Sequence, residues 1–291
     1  MGTPEHPGTR LRALMEKEVV ATPGSFNALV ARAVAEAGFD ATYISGGARA
    51  NVSGYPDIGL ITLEEMTLTI KEVSQASGLP VIVDADTGYG DVEDAVRTII
   101  EYDKAGAAAL HIEDQVFPKR CGHLEGKELV STEVMCEKLE AMCAARPHPD
   151  FLIIARTDAR GVTSMEDAIE RANAYRAVGA DMIFPEGLRS EEEFAEFAAG
   201  SPGALFANMT EFGKTPIIPL SRFGEMGYSI VIFPLSMMRV AMAAVVDALA
   251  HLKEHGSVHH LLDDMHTRAE LYALLRYDPA VEWSMYESDS R

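Results

Sequence analysis

Short runs of β-branched and aromatic residues alternate with longer stretches of helical period along the whole chain. The strand-like runs are VVATPG (19–24), ATYISGG (41–47), PVIVDAD (80–86), AALHIED (108–114), FLIIART (151–157), DMIFPEG (181–187), ALFANMT (204–210) and SIVIFPLS (229–236). Segments such as FNALVARAVAEAG, VEDAVRTIIEYDKAG and MEDAIERANAYRAVG separate them with apolar residues at helical spacing. Strands that alternate with helices predict parallel pairing through right-handed crossovers. Strands that are apolar throughout predict a sheet covered on both faces.

A weak internal repeat sharpens this picture. EAGFDATYIS, KAGAAALHIE, AVGADMIFPE and EMGYSIVIFP read alike, with a helix expected to end at Gly38, Gly106, Gly179 or Gly227. Glycine suits the left-handed position that ends a helix. In each repeat the strand is expected to finish seven residues later, at Ser45, Glu113, Glu186 or Pro234. The same helix-to-strand step four times over predicts a (β/α)8 barrel of the TIM type. An open doubly wound sheet is the alternative, but GSFNAL (24–29) is not the Gly-rich phosphate turn such a sheet places after its first strand. With no low-complexity linker, residues 1–255 are expected to form one catalytic domain. Residues 256–291 are expected to form a helical tail, packed on the barrel or on a neighbouring subunit. The longest apolar stretch, Ile230–Ala250, contains Pro234, Arg239 and Asp247 and predicts a strand running into a buried helix rather than a membrane span.

Composition narrows the partners. The chain has 291 residues, 47% hydrophobic and 24% charged, which is ordinary for a globular protein. Its 25 basic against 45 acidic residues give a net charge of −20. That charge disfavours nucleic acid and anionic membranes, and an anionic ligand would need local Arg and Lys or a metal. Three cysteines do not make a disulfide framework. The N-terminal segment MGTPEHPGTRLRALM has no apolar run of the secretory kind, so a soluble cytoplasmic protein is expected.

In barrels the chemistry sits where strands end at the C-terminal face. Here those ends are polar: Tyr43, Ser45, Gly46 and Gly47 after the second strand, then Asp84 and Asp86, then His111, Glu113 and Asp114. Arg156 and Asp158, Glu186, Asn208 and Thr210, and Ser236 follow on the later strands. Asp84 and Asp86, two apart on a strand, are expected to point the same way, and Glu113 adds a third carboxylate from the next strand. Oxygen ligands without a His/Cys set favour Mg²⁺ or Mn²⁺; the alternative is that they cap loop amides. KRCGHLEGK (119–127) places Cys121 among Lys119, Arg120 and His123, where positive charge favours the thiolate. Gly122 and Gly126 would let this loop move as a lid; it reads equally as a solvated basic loop. Arg156 can clamp a carboxylate, or pair internally with Glu186 or Asp158, or do both. NMTEFGKTP (208–216) offers Asn208 and Thr210 as donors, or forms a turn of side-chain-to-backbone bonds. Cys136 and Cys143 fall in a helical pattern, and His259, His260 and His266 on the tail read as structural.

YISGG, GYPDIG, DADTGYG, HIEDQ, KRCGH, ARTDA, FPE and NMTEFGKTP together resemble the isocitrate lyase/phosphoenolpyruvate mutase superfamily, from about Leu11 to Tyr277. The resemblance is strongest to the branch of 2-methylisocitrate and 2,3-dimethylmalate lyases. It implies a barrel whose last helix is swapped between subunits, in a homotetramer built as a dimer of dimers. It implies Mg²⁺ held by Asp86, with Asp84 and Glu113 partly through water and Asp57 nearby. Ser45, Gly46 and Gly47 would bind the α-keto acid half, and Tyr43 would help deprotonate the substrate hydroxyl. Cys121 would protonate the aci-carboxylate as the lid closes. Arg156, Glu186, Asn208, Thr210, Gly122 and His123 would hold the remaining carboxylates, with Cys121, Tyr43, Arg156 and His123 forming the catalytic group. The implied activity is a Mg²⁺-dependent carbon–carbon lyase, cleaving a di- or tricarboxylic 2-hydroxy acid of the 2-methylisocitrate type to pyruvate and succinate. HLEGK (123–127) also resembles dimethylmalate-type enzymes and carboxyphosphonoenolpyruvate phosphonomutase, which keeps a 2,3-dimethylmalate lyase and a P–C bond-forming mutase as alternatives. A non-catalytic binding barrel is the remaining one.

Overall fold

At the four repeated junctions the helix unwinds into a strand through a glycine of positive φ, as at Gly106 (99°) and Gly179 (110°). Gly106 closes the Val92–Ala105 helix, its N–H donating to the Asp103 carbonyl, and a side chain there would be strained. The computed structural model describes residues 5–281 other than His123. The expected strands all form: β1 Val20–Pro23, β2 Thr42–Ile44, β3 Val81–Asp84, β4 Ala109–Glu113, β5 Leu152–Thr157, β6 Met182–Pro185, β7 Phe206–Asn208 and β8 Ile230–Phe233.

All pairings are parallel. β2 to β6 run side by side in sequence order, and β1, β8 and β7 form a second sheet. Single parallel bridges join the two sheets, Gly24 to Tyr43 and Ile183 to Leu205, and these two seams complete a ring of eight. Along each strand successive side chains point to opposite faces. Ile82, Ile154, Met182, Phe184, Phe206 and Ile230 therefore fill the barrel interior, with Leu11 from the Pro7–Met15 helix. Val81, Val83, Leu110, Ile112, Ile153 and Val231 pack outward under the helices. Each such side chain contributes about 1.5–3 kcal/mol by its burial.

Register then sets up the mouth. Asp84 is level with His111, Glu113 with Arg156, and Arg156 with Phe184. On β3, β4, β5 and β6 the inward-facing row changes from apolar to charged near the mouth, at Asp84, Glu113, Arg156 and Glu186.

Two expectations are corrected. β3 stops at Asp84, and Asp86 lies beyond it in a turn with φ 45°, so the two carboxylates do not share a strand face. Aspartate tolerates this left-handed backbone better than most residues. The Ser236–His255 helix is not buried: none of its residues is, and Val240, Val246 and Leu249 are 68%, 57% and 59% exposed. The tail continues as a 3₁₀ segment, His259–Asp264, and a helix, Arg268–Leu274, that lies against the Ala28–Glu36 helix. Among the described residues no helix is long and apolar enough to cross a membrane.

Candidate active site

One cavity at the C-terminal end of the barrel is lined by Tyr43, Ser45, Gly47, Asp57, Asp84, Lys119, Cys121, Gly122, Arg156, Phe184, Glu186, Asn208 and Thr210. Residues from six strand ends thus converge, as the polar strand ends predict, and Ile232, Pro234 and Leu235 close the wall at a seventh. Gly46, Asp86 and Glu113 stand just behind this lining, and His123 lies outside the described residues.

The glycines after β2 make room for carboxylates. A Cβ on Gly46 would lie 2.9 Å from Asp84 Oδ2 and 3.3 Å from Asp86 Oδ1, and one on Gly47 would lie 3.0 Å from Asp57 Oδ2. The Gly46 N–H donates to Asp84 Oδ2 at 3.0 Å, and the Asp86 N–H donates to Asp84 Oδ1 at 3.0 Å. Ser45 caps the Gly46–Val52 helix, its hydroxyl accepting from the Ala48 N–H at 3.2 Å.

The carboxylates behind this wall lack the partners that burial demands. Asp86 Oδ1 and both oxygens of Glu113 are buried and accept no hydrogen bond among the described residues. Charges face them instead: Lys119 Nζ lies 2.9 Å from Asp86 Oδ1, and Arg156 Nε lies 3.2 Å from Glu113 Oε2 without pointing an N–H along it. Lys119 also pairs with Asp57. Burial raises the Asp86 carboxyl above its ordinary range; Lys119 opposes this, and Asp84 adds to it. Burial likewise holds the Glu113 carboxyl well above its usual range, against Arg156 and Lys119. Burial alone would lower the Lys119 ammonium, yet Asp86, Glu113 and Asp57 hold it well above the ordinary lysine value. Buried oxygens of this kind suit a hard cation. Among the described residues no three His, Cys, Asp or Glu side chains already surround a common point as metal ligands, and the Lys119 ammonium balances the charge there. Sequence reasoning read Lys119 only as a neighbour of the thiol.

Arg156 does pair internally. Its Nε donates to Asp158 Oδ2 at 3.0 Å, its Nη2 lies 3.6 Å from Glu186 Oε2, and its guanidinium sits 5.1 Å above the Phe184 ring. Asn208 Nδ2 donates to Glu186 Oε2 at 3.1 Å, and Arg239 donates to the Thr210 hydroxyl at 3.3 Å.

Tyr43 and His111 meet at 2.8 Å, hydroxyl to Nε2, in the barrel interior. Burial, with Asp84, pushes the phenol well above its ordinary value, and burial, with Arg156, lowers the imidazole to about 3. Both shifts favour the uncharged rings, joined by this hydrogen bond. His111 is the buried partner of Tyr43.

The Cys121 loop is seated over the cavity. Gln115 clamps the backbone of Arg120 from both sides, its Nε2 donating to the carbonyl and its Oε1 accepting from the N–H, each at 2.9 Å. Gln115 pairs with Leu129 at the base of the flap, and Lys214 reaches Glu125 at its far end. Cys121 is half-buried and, like Cys136 and Cys143, is not in a disulfide.

A family model for phosphoenolpyruvate phosphomutase matches residues 11–253. The chain is 49% identical over 267 residues to a probable 2-methylisocitrate lyase of Corynebacterium glutamicum, covering 91% of this chain and 88% of that one. It is also 49% identical over 274 residues to the 2-methylisocitrate lyase of Aeropyrum pernix, covering 94% and 88%. A crystal structure of 2,3-dimethylmalate lyase superposes with a TM-score of 0.88 at 38% identity, covering 94% of this chain and 92% of that one. A structure of phosphonopyruvate hydrolase with oxalate and Mg²⁺ superposes with a TM-score of 0.85 at 26% identity, covering 93% and 95%. Fold, site and comparisons agree: the chain belongs to the phosphoenolpyruvate mutase/isocitrate lyase superfamily and is one of its lyases.

Proposed function

We propose that this enzyme cleaves a 2-hydroxy tricarboxylate of the 2-methylisocitrate type to pyruvate and succinate, and that it needs Mg²⁺ to do so. The observation that carries this reading is the meeting of the Cys121 thiol, the Asp57 and Asp84 carboxylates and the Arg156 guanidinium in one cavity. Asp86, Asp84, Glu113 and Asp57 would hold the ion, which when bound supplies Lewis acidity toward the oxygens of the hydroxy acid. It would compete with Lys119 for Asp57 and Asp86.

The remaining work falls to the chain. The glycines after β2 leave the 2-hydroxy acid half room beside Asp57 and Asp84. Tyr43 would hydrogen-bond the reacting oxygen. Arg156, fixed by Asp158 and Glu186, would hold a distal carboxylate, with Asn208 and Thr210 beside it. The substrate hydroxyl would give up its proton to a carboxylate of the site, with Tyr43 helping to deprotonate it. As that oxygen becomes the carbonyl of pyruvate, the bond between the hydroxyl-bearing carbon and its neighbour breaks and the electron pair passes to the succinate half. Cys121 would donate its proton to that carbon, on a flap that keeps water out. His123 would contact the same half. Relatives named 2-methylisocitrate lyase support the tricarboxylic substrate over the dicarboxylic one.

The exposed apolar face of the Ser236–His255 helix supports self-association, for which we propose a homotetramer with this helix packed on a neighbour. We place the enzyme in the cytoplasm.

A substrate panel tests the activity. Pyruvate from 2-methylisocitrate and 2,3-dimethylmalate, and glyoxylate from isocitrate, are followed by reduction with lactate dehydrogenase, each with Mg²⁺ and with EDTA. Pyruvate from 2-methylisocitrate that vanishes with EDTA is expected. Release from 2,3-dimethylmalate alone would move the enzyme to the dicarboxylic substrate. No cleavage of any of the three would overturn the reading.

A further inference from the structure

Lys127 ends the flap and does not touch the cavity, yet its ammonium is buried between two parts of the site. Its side chain is 1% exposed and that of Asp158 is 0% exposed, with Nζ 2.6 Å from Asp158 Oδ1. A second N–H donates to the carbonyl of Gly122, the residue next to Cys121. One ammonium thus ties the thiol-bearing backbone to the end of β5.

Asp158 is shared. Its Oδ1 takes Lys127 and lies 3.4 Å from Arg156 Nη2, and its Oδ2 takes Arg156 Nε. Burial alone would raise this carboxyl, but Arg156 and Lys127 hold it below the ordinary range. The Asp158 N–H donates to Asp114 Oδ1 at 3.0 Å, and Tyr175 holds the other Asp114 oxygen at 2.8 Å. The anchor is therefore braced from behind. A buried ion pair is costly to break from one side only, since the abandoned partner keeps its charge without compensation.

We propose that Lys127 is the positioning residue that seats the Cys121 flap, linking the Gly122 carbonyl through Asp158 to the guanidinium that receives the substrate carboxylate. The thiol and the carboxylate clamp are then set by one polar link. This rests on the lyase reading of the cavity, and the test separates the two.

The full-length enzyme with Mg²⁺ is compared with Lys127→Met in two assays. One is pyruvate release from 2-methylisocitrate. The other is alkylation of Cys121 by iodoacetamide, followed on its own peptide by mass spectrometry. We expect kcat to fall by about 100-fold with KM changed by less than about threefold, the mark of a misplaced group rather than a lost contact. We expect Cys121 alkylation to speed up by about tenfold, as loss of a charge-assisted hydrogen bond opens the flap. Lys127→Met/Asp158→Asn, which removes both charges, provides a second variant should the single one fail to fold, and it should show the same faster alkylation. Unchanged alkylation in folded variants would overturn the proposal, whatever happens to kcat. A wild type that releases no pyruvate, beside a variant with faster alkylation, would leave the latch standing and remove the lyase reading alone.

Discussion

Gly122 lies directly against Arg156: a Cβ built on it would stand 2.5 Å from the guanidinium Nη2 and 2.5 Å from Glu186 Cγ. The flap can seat only because this residue has no side chain. Gly122→Ala should therefore lower kcat by about 100-fold, because a shift of about 1 Å in a catalytic group costs that much. Gly122 sits on the flap rather than in the core, so the melting temperature should stay close to wild type. Steady-state kinetics and a thermal melt on the same preparation check both.

Cys121→Ala should remove the proton donor while leaving the barrel intact. A lost general acid typically costs about 10²–10⁴-fold in rate. Because the side chain is half-buried, stability should change by no more than about 1 kcal/mol. Activity equal to wild type in Cys121→Ala would assign the proton to another group.

Asp86→Asn should weaken Mg²⁺ binding by at least about tenfold, the loss expected for removing one charged ligand. The pH dependence has a definite sign. Burial raises the Asp86 carboxyl, so protons compete with the cation at a higher pH than they would for an ordinary aspartate. Wild-type affinity for Mg²⁺ should accordingly be weaker at pH 5 than at pH 7.5, and the difference should shrink in Asp86→Asn. Calorimetric titration at the two pH values measures both effects.

Val246→Glu places a charge on the exposed apolar face of the Ser236–His255 helix. If that face meets another copy, the variant should sediment as a smaller species while its circular dichroism is unchanged. Identical sedimentation of variant and wild type would show that the face is not the contact.

The ring of strands was readable because two local signals recur: glycine ends a helix, and an apolar run follows at a fixed distance. Most of the mouth was readable for a related reason, since residues such as Glu113 and Arg156 interrupt apolar strands at their ends. What escaped the reading depends on backbone turns or on long reaches. Asp86 swings out of β3 through a left-handed conformation that no alternation rule encodes. Lys119 finds Asp57 from 62 residues away, and Lys127 finds Asp158 from 31. A long flexible side chain leaves little trace in sequence of where its tip will lie. The Ser236–His255 helix misled for another reason: an apolar stretch shows that burial is needed, but not whose surface provides it.

The two seams between the sheets carry a mechanical consequence. Backbone pairing there is reduced to single bridges, and side chains take over: Asn208 to Glu186 across one, and Ser25 to Thr42, at 2.7 Å, across the other. The eight-stranded hoop is thus thinnest along two lines that run up to its mouth. A bound acid reaching from Ser45 and Glu186 on one arc to Asn208 and Thr210 on the other would act as a clasp across both. Filling the mouth should stiffen the wall itself, slowing deuterium uptake at the Ser25 and Ile183 amides more than anywhere else in the strands.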